Sequence, residues 1–182
     1  MTRGHQERLA PMVRDLMAAS KVAFGEVDRI AVTVGPGSFT GLRVGLAFAK
    51  GLALALDRPC IGVGTLEALA AGAGMEGRAA AVIDAGRGCV YVQTFEAGVA
   101  TTAPNILAVT AAADRLMALT AGGEITLVGP GAAVLADLVA GGRRLEIAAP
   151  SPKWVARLAA RAPAGPPHPL YLRAPDARPK AA

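Results

Sequence analysis

The stretch Gly35-Pro36-Gly37-Ser38-Phe39-Thr40-Gly41-Leu42-Arg43 constrains this chain more than any other. It stands between a short apolar run, Ile30-Ala-Val-Thr-Val34, and a helical pattern over about 42–56. Glycines so placed turn a strand into a helix and leave N–H groups unpaired at the positive end of the helix dipole, where Ser38 and Thr40 add hydroxyls. That arrangement suits an anion. It is not a P-loop, because Leu42 follows Gly41 where lysine is required, and the spacing of Gly35, Gly37 and Gly41 misses the dinucleotide fingerprint. Nor is it a nucleophile elbow, since Pro36 stands where the first glycine is needed. A tight strand-to-helix turn with no ligand accounts for the same residues.

Strands and helices alternate on either side of this loop. Leu9, Met12, Val13, Leu16 and Met17 share one helical face, so about 6–19 is an amphipathic helix, with Pro11 as a kink or near the first turn. Cys60–Val63 reads as a strand, Thr65 as the cap of a helix to about Ala70, and 71–77 as a linker. The second half opens with Ala80–Ile83, turns through 84–88 and returns from Cys89 to Phe95 as an antiparallel hairpin. Thr110 caps a helix to about Leu119, Ile125–Val128 is a strand, and Gly129-Pro-Gly131 leads into a helix over 132–140. Strand, Gly-Pro-Gly, helix thus occurs twice. Ser151-Pro152 starts a last helix to about Ala162, and Pro163–Pro169 excludes regular structure. The order predicts an α/β fold in two lobes, 1–72 and 78–162, with a Pro-rich basic tail over 163–182.

With 53% hydrophobic and 18% charged residues among 182, the chain is not a disordered segment and can bury a core. Cys60 and Cys89 lack CxxC spacing and read as buried thiols of a reducing compartment. The longest uncharged run, 97–113, contains threonines, Pro104 and Asn105, and the start Met1–Arg8 is too polar for a signal peptide. No membrane association is expected, and the location implied is cytoplasmic. The net charge of +5 lies at the end, where Lys153, Arg157, Arg161, Arg173, Arg178 and Lys180 face one acid, Asp176. No aromatic interleaves with these cations as a stacking platform would need, so the tail reads as solvated.

Catalytic clusters are scarce. His5 and His168 sit in polar or Pro-rich flanks with no HxxxH and no cysteine cluster, so neither a metal site nor a cofactor of the chain's own is predicted. Asp84 can serve as a base, as a phosphate-loop acid or as an Asx-turn residue. Along the helix at 42–56, Gly41, Gly45, Ala49 and Ala53 recur every four residues, a nearly bare face that fits either the lobe's own sheet or a partner subunit. Two glycines cost a helix about 1 kcal/mol each unless close approach offsets it.

The run Gly35–Gly45, with His5–Met12 upstream, Ile83-Asp-Ala85 in the middle and Leu170-Tyr-Leu-Arg173 near the end, resembles the TsaB (YeaZ) family in order and across nearly the whole chain. The resemblance implies a degenerate member of the actin-like ATPase superfamily, with acetate and sugar kinases as relatives, built of two small α/β lobes. It implies a non-catalytic scaffold or dimerisation subunit needed to form N6-threonylcarbamoyladenosine at position 37 of tRNAs that read codons beginning with A. The partners implied are a TsaD-like transferase and a TsaE-like ATPase, with ATP and a metal on those subunits, tRNA reached only through the complex, and a homodimer when the chain is alone.

By the same resemblance the first two helices form the partner interface through Leu9, Met12, Val13, Leu16, Gly41, Gly45, Phe48 and Ala49. The family loop comprises Gly35, Pro36, Gly37, Ser38, Phe39, Thr40, Gly41 and Arg43. Where TsaD carries its metal-binding HxxxH, this chain reads Thr65-Leu-Glu-Ala-Leu69, and neither Thr65 nor Leu69 can take the ligand role. Gly86 and Cys89 stand where relatives often have arginine and glutamate. Relatives begin with a three-stranded meander carrying Asp-Thr-Ser or a similar triplet, so the first lobe is expected to be N-terminally truncated, the native protein longer, and Ile30–Val34 to have an edge without a neighbour. Two other classes remain: a phosphate-binding kinase-like or glycopeptidase-like enzyme using Ser38, Thr40 and Asp84, and a tRNA-binding module working through 153–182.

Overall fold

A computed structural model describes residues 5–74, 77–121 and 123–173. The first half holds α1 (His5–Ser20), a 3-10 turn (Phe24–Glu26), β1 (Ile30–Gly35), α2 (Phe39–Leu56), β2 (Cys60–Gly64) and α3 (Thr65–Gly72). Strands β1 and β2 pair in parallel, from Ile30 opposite Cys60 to Thr33 opposite Val63. Among the described residues β1 has no other strand beside it. Helix α2 begins at Phe39 and not at Leu42, because Ser38 caps it: its Oγ accepts from the Gly41 N–H at 3.3 Å. It ends where Asp57 takes a left-handed φ of 52°, shortly before Pro59.

Helix α2 buries Leu42, Leu46, Ala49 and Ala53 on the side that packs on β1, each leucine contributing about 1.5–3 kcal/mol. Its 18 residues reach a mean hydropathy of 1.4, enough by length and composition to match a membrane span. Arg43 and Lys50 interrupt it, and Leu42, Leu46, Ala49 and Ala53 are buried against the sheet.

The second half holds β3 (Arg78–Gly86), β4 (Cys89–Glu96), β5 (Val99–Ala100), β6 (Asn105–Ala108), α4 (Val109–Thr120), β7 (Ile125–Val128), α5 (Ala132–Ala136) and β8 (Gly142–Leu145). Its sheet runs β5-β4-β3-β7-β8, with β6 also on β4. The expected hairpin joins β3 to β4, and its two-residue loop, Arg87-Gly88, has φ of 57° and 68°. Strand β3 is covered on both faces, which is why it reads as an unbroken apolar run. Ala80 and Val82 pack with Val90, Leu116, Leu127 and Leu135, while Ala79 and Ala81 pack with Leu66, Leu69, Phe95 and Val128.

Thr65 and Thr110 do not cap their helices; Gly64 and Ala108 occupy the cap positions without side-chain bonds. Helix α5 stops at Ala136, well short of 140, because Val139 and the left-handed Gly141 turn the chain into β8.

The last helix, α6 (Pro152–Arg161), starts as expected with Pro152 in its first turn, yet it packs on the first sheet. Val155 and Ala159 lie with Ile61, Val63 and Ala68, and the Arg29 guanidinium donates to the carbonyls of Ala159 at 3.1 Å and Ala162 at 2.9 Å. Beyond it the chain is irregular but not solvated throughout, contrary to the reading of its composition. Pro167 is buried against Gly62, where a Cβ would stand 3.1 Å from the proline Cβ. Arg178 and Lys180 fall outside the described residues.

The two Gly-Pro-Gly turns open on glycines of nearly the same φ. Gly35 has φ 113° and Gly129 φ 111°. A Cβ on Gly129 would meet the Val82 oxygen at 2.6 Å and Leu69 Cδ1 at 3.2 Å. Gly129→Ala should therefore lower the urea midpoint by an amount equal to about 1–3 kcal/mol or more, with the m value unchanged. Gly165→Ala, where nothing lies within 4 Å, should stay within about 0.5 kcal/mol of the parent in the same titration.

Candidate functional site

The family loop, the hairpin turn and the end of the described chain meet in one place. Strand β1 shifts register between Thr33 and Gly35, and β3 does so between Asp84 and Gly86. Such irregularities leave the residue between them out of the ladder. The segment 167–173 answers both. The Leu170 N–H donates to the Val34 carbonyl at 2.7 Å, and Arg173 Nη1 donates to the Ala85 carbonyl at 2.6 Å, with Nη2 3.4 Å from the Gly86 oxygen. Gly35 is required here: a Cβ on it would stand 2.8 Å from the Leu170 oxygen. Tyr171 lies on Phe39 with ring centroids 4.8 Å apart, and Arg43 sits over the same Phe39 ring at 5.3 Å.

The polar side chains that an enzyme would need have local duties. Ser38 caps α2, and Asp84 Oδ1 accepts from the Gly86 N–H at 2.7 Å in an Asx turn. Both are exposed, as is Thr40, while Pro36 is fully buried. The hairpin turn makes its contact through the backbone carbonyls of Ala85 and Gly86, which needs no side chain at position 86 or 89. Cys60 and Cys89 are free and half-buried, not core filler; burial pushes the Cys60 thiol up, against the opposing effect of Lys50. Leu69 is wholly buried in the core shared with β3, and Thr65 is half-buried at the start of α3. No group of three His, Cys, Asp or Glu gathers among the described residues.

The expected interface residues divide into two sets. Ala49 is buried on the sheet side of α2, and a Cβ on Gly45 would point to Val32 Cγ2 at 3.9 Å, so this part of the small-residue stripe rests on the lobe's own β1. Gly41 is exposed at the start of α2. Val13 and Phe48 line a cleft of about 390 Å³ between α1 and α2, together with Ala10, Phe24 and Leu52. Leu9 is half-buried, whereas Met12 and Leu16 are 59% and 65% exposed and Leu54 is 84% exposed.

Bonds from a guanidinium to carbonyls contribute about 1.5–3 kcal/mol when sheltered. Arg173→Ala should therefore destabilise the fold by about 1–3 kcal/mol in thermal melting, and hydrogen exchange should quicken at the amides of Gly86 to Val90.

The family described as TsaD: tRNA N6-adenosine threonylcarbamoyltransferase matches residues 1–161. The tRNA threonylcarbamoyladenosine biosynthesis protein TsaB of Escherichia coli is 41% identical over 97 residues, which are 52% of this chain and 42% of that protein. An uncharacterized protein of Mycobacterium bovis is 38% identical over 98% of this chain and 80% of its own length. Among solved structures, YeaZ from Pseudomonas aeruginosa superposes with a TM-score of 0.79 at 30% identity, covering 94% of this chain and 86% of that one. Its fold is the actin-like ATPase fold, and the mixed sheets and helices described above follow it. With these matches over most of its length, the chain belongs to the TsaB (YeaZ) family.

Proposed function

We propose that this chain is the non-catalytic subunit of the assembly that forms N6-threonylcarbamoyladenosine in tRNA, and that it docks on a TsaD-like transferase through α1 and α2. The observation that carries the reading is the open apolar surface of these helices: none of the described side chains of α1 is fully buried, Met12 and Leu16 face solvent, and the cleft between α1 and α2 is almost wholly apolar. Surfaces of this kind on a small domain are covered by partners. The names of the relatives support the pathway, and the local duties of Ser38 and Asp84 speak against a phosphate-handling enzyme. ATP and a metal then belong to the transferase and to a TsaE-like ATPase. Without the transferase, the same face pairs two copies of the chain.

Met12→Glu with Leu16→Glu places two carboxylates where an apolar partner would rest. Binding to a TsaD-family transferase, measured by calorimetry, should weaken at least about tenfold, equivalent to 1.4 kcal/mol, while melting stays unchanged. Equal affinity in the double variant would overturn the docking surface. Gly45→Leu should act differently, lowering stability by about 1–3 kcal/mol through crowding of Val32. Titration of the isolated chain with ATP and Mg²⁺ should give no turnover; turnover would restore the enzyme reading.

A further inference from the structure

Helix α6 seats Val155 and Ala159 in the core and turns Lys153, Arg157 and Arg161 to solvent. These three stand four residues apart, so they leave one side of the helix at steps of about 6 Å, comparable with the step between phosphates along a nucleic-acid strand. The exposed Ala156 and Ala160 flank them on one side, and the helix carries no carboxylate. Of the elements packed against it, α3 carries one, Glu67, and β1 and β2 carry none. None of the three cations makes an ion pair among the described residues.

An aromatic does interleave with this basic set, contrary to the reading of the sequence. Arg157 lies over the Trp154 ring at 4.9 Å, because residues three apart on a helix are neighbours. Trp154 is half-buried beside Gly72, leaving part of its ring open. The bonds from Arg29 to the carbonyls of Ala159 and Ala162 fix the far end of α6, so the cations ride on a rigid support.

We propose that the ridge of Lys153, Arg157 and Arg161, with Trp154 at its side, binds the phosphodiester backbone of RNA. Even spacing, a bare alanine floor and a cation-backed aromatic match a charged strand with bases better than an acidic protein face, whose carboxylates have no regular step. The identity of the RNA as tRNA rests on the function proposed above; the chemistry of the ridge does not.

The test is fluorescence anisotropy of labelled tRNA titrated with the full chain across a salt series. Lys153→Gln, Arg157→Gln and Arg161→Gln together should weaken binding at least about tenfold at low salt and reduce the slope of log affinity against log salt by about 2–3. Melting and transferase binding should be unchanged, and Arg115→Gln, on α4 across the larger sheet from α3, should bind tRNA as the parent does. No binding by the parent chain at low salt, an unchanged slope in the triple variant, or equal loss in the Arg115→Gln variant would overturn the proposal. So would loss of the transferase with tRNA binding intact, which would make the ridge a protein contact. Failure of the docking surface is read separately, from the Met12→Glu and Leu16→Glu variant.

Discussion

Two carbonyl oxygens that their own strands cannot satisfy hold the key to this architecture. Val34 drops out of the ladder in β1 and Ala85 drops out in β3, one in each half of the protein. A buried carbonyl without a donor costs about 1–3 kcal/mol. Leu170 and Arg173 supply the two donors, and because those residues are nearly adjacent in sequence, satisfying both carbonyls fixes the distance between the halves. The Gly35 turn takes its covering from the same segment, and so does the Phe39 ring.

Helix α3 works to the same end from the other side. Its eight residues have almost no exposed apolar area, since Leu66 and Leu69 enter the core of the larger sheet while Ala68 enters that of the smaller one. A helix shared between two cores transmits strain between them, as close-packed interiors do. Leu69 itself lies fully buried in the same cluster as Val128. Rigidity between the halves suits the scaffold role proposed for this chain.

Much of this was legible in the residues. The apolar periods placed α1, β1, α2, β2, the β3–β4 hairpin, β7 and α6, because each is long or sharply bounded by glycine and proline. Strands β5, β6 and β8, of two to four residues, carry too little pattern to be read. The family loop and the Leu170–Arg173 run were visible as motifs, but their meeting was not, because it depends on a hydrogen bond between residues 136 apart in sequence, Val34 and Leu170. The stripe of Gly41, Gly45, Ala49 and Ala53 shows the limit of pattern: small residues signal close approach and leave open what approaches. In this fold the answer for Gly45 is Val32.

The two Gly-Pro-Gly turns open on glycines of like φ and are unlike in what they must wait for. Gly129 is covered by Val82, which has long since left the ribosome when that turn emerges. Gly35 is covered by Leu170, and the sheet beneath it needs Val155 and Ala159, all delivered more than a hundred residues later. Synthesis runs from the N-terminus, so the half made first is the half completed last, while the half made second closes on neighbours already present. Long-range closure of this kind is slow. A premature stop after about residue 150 would therefore spoil the beginning of the protein and leave its middle folded.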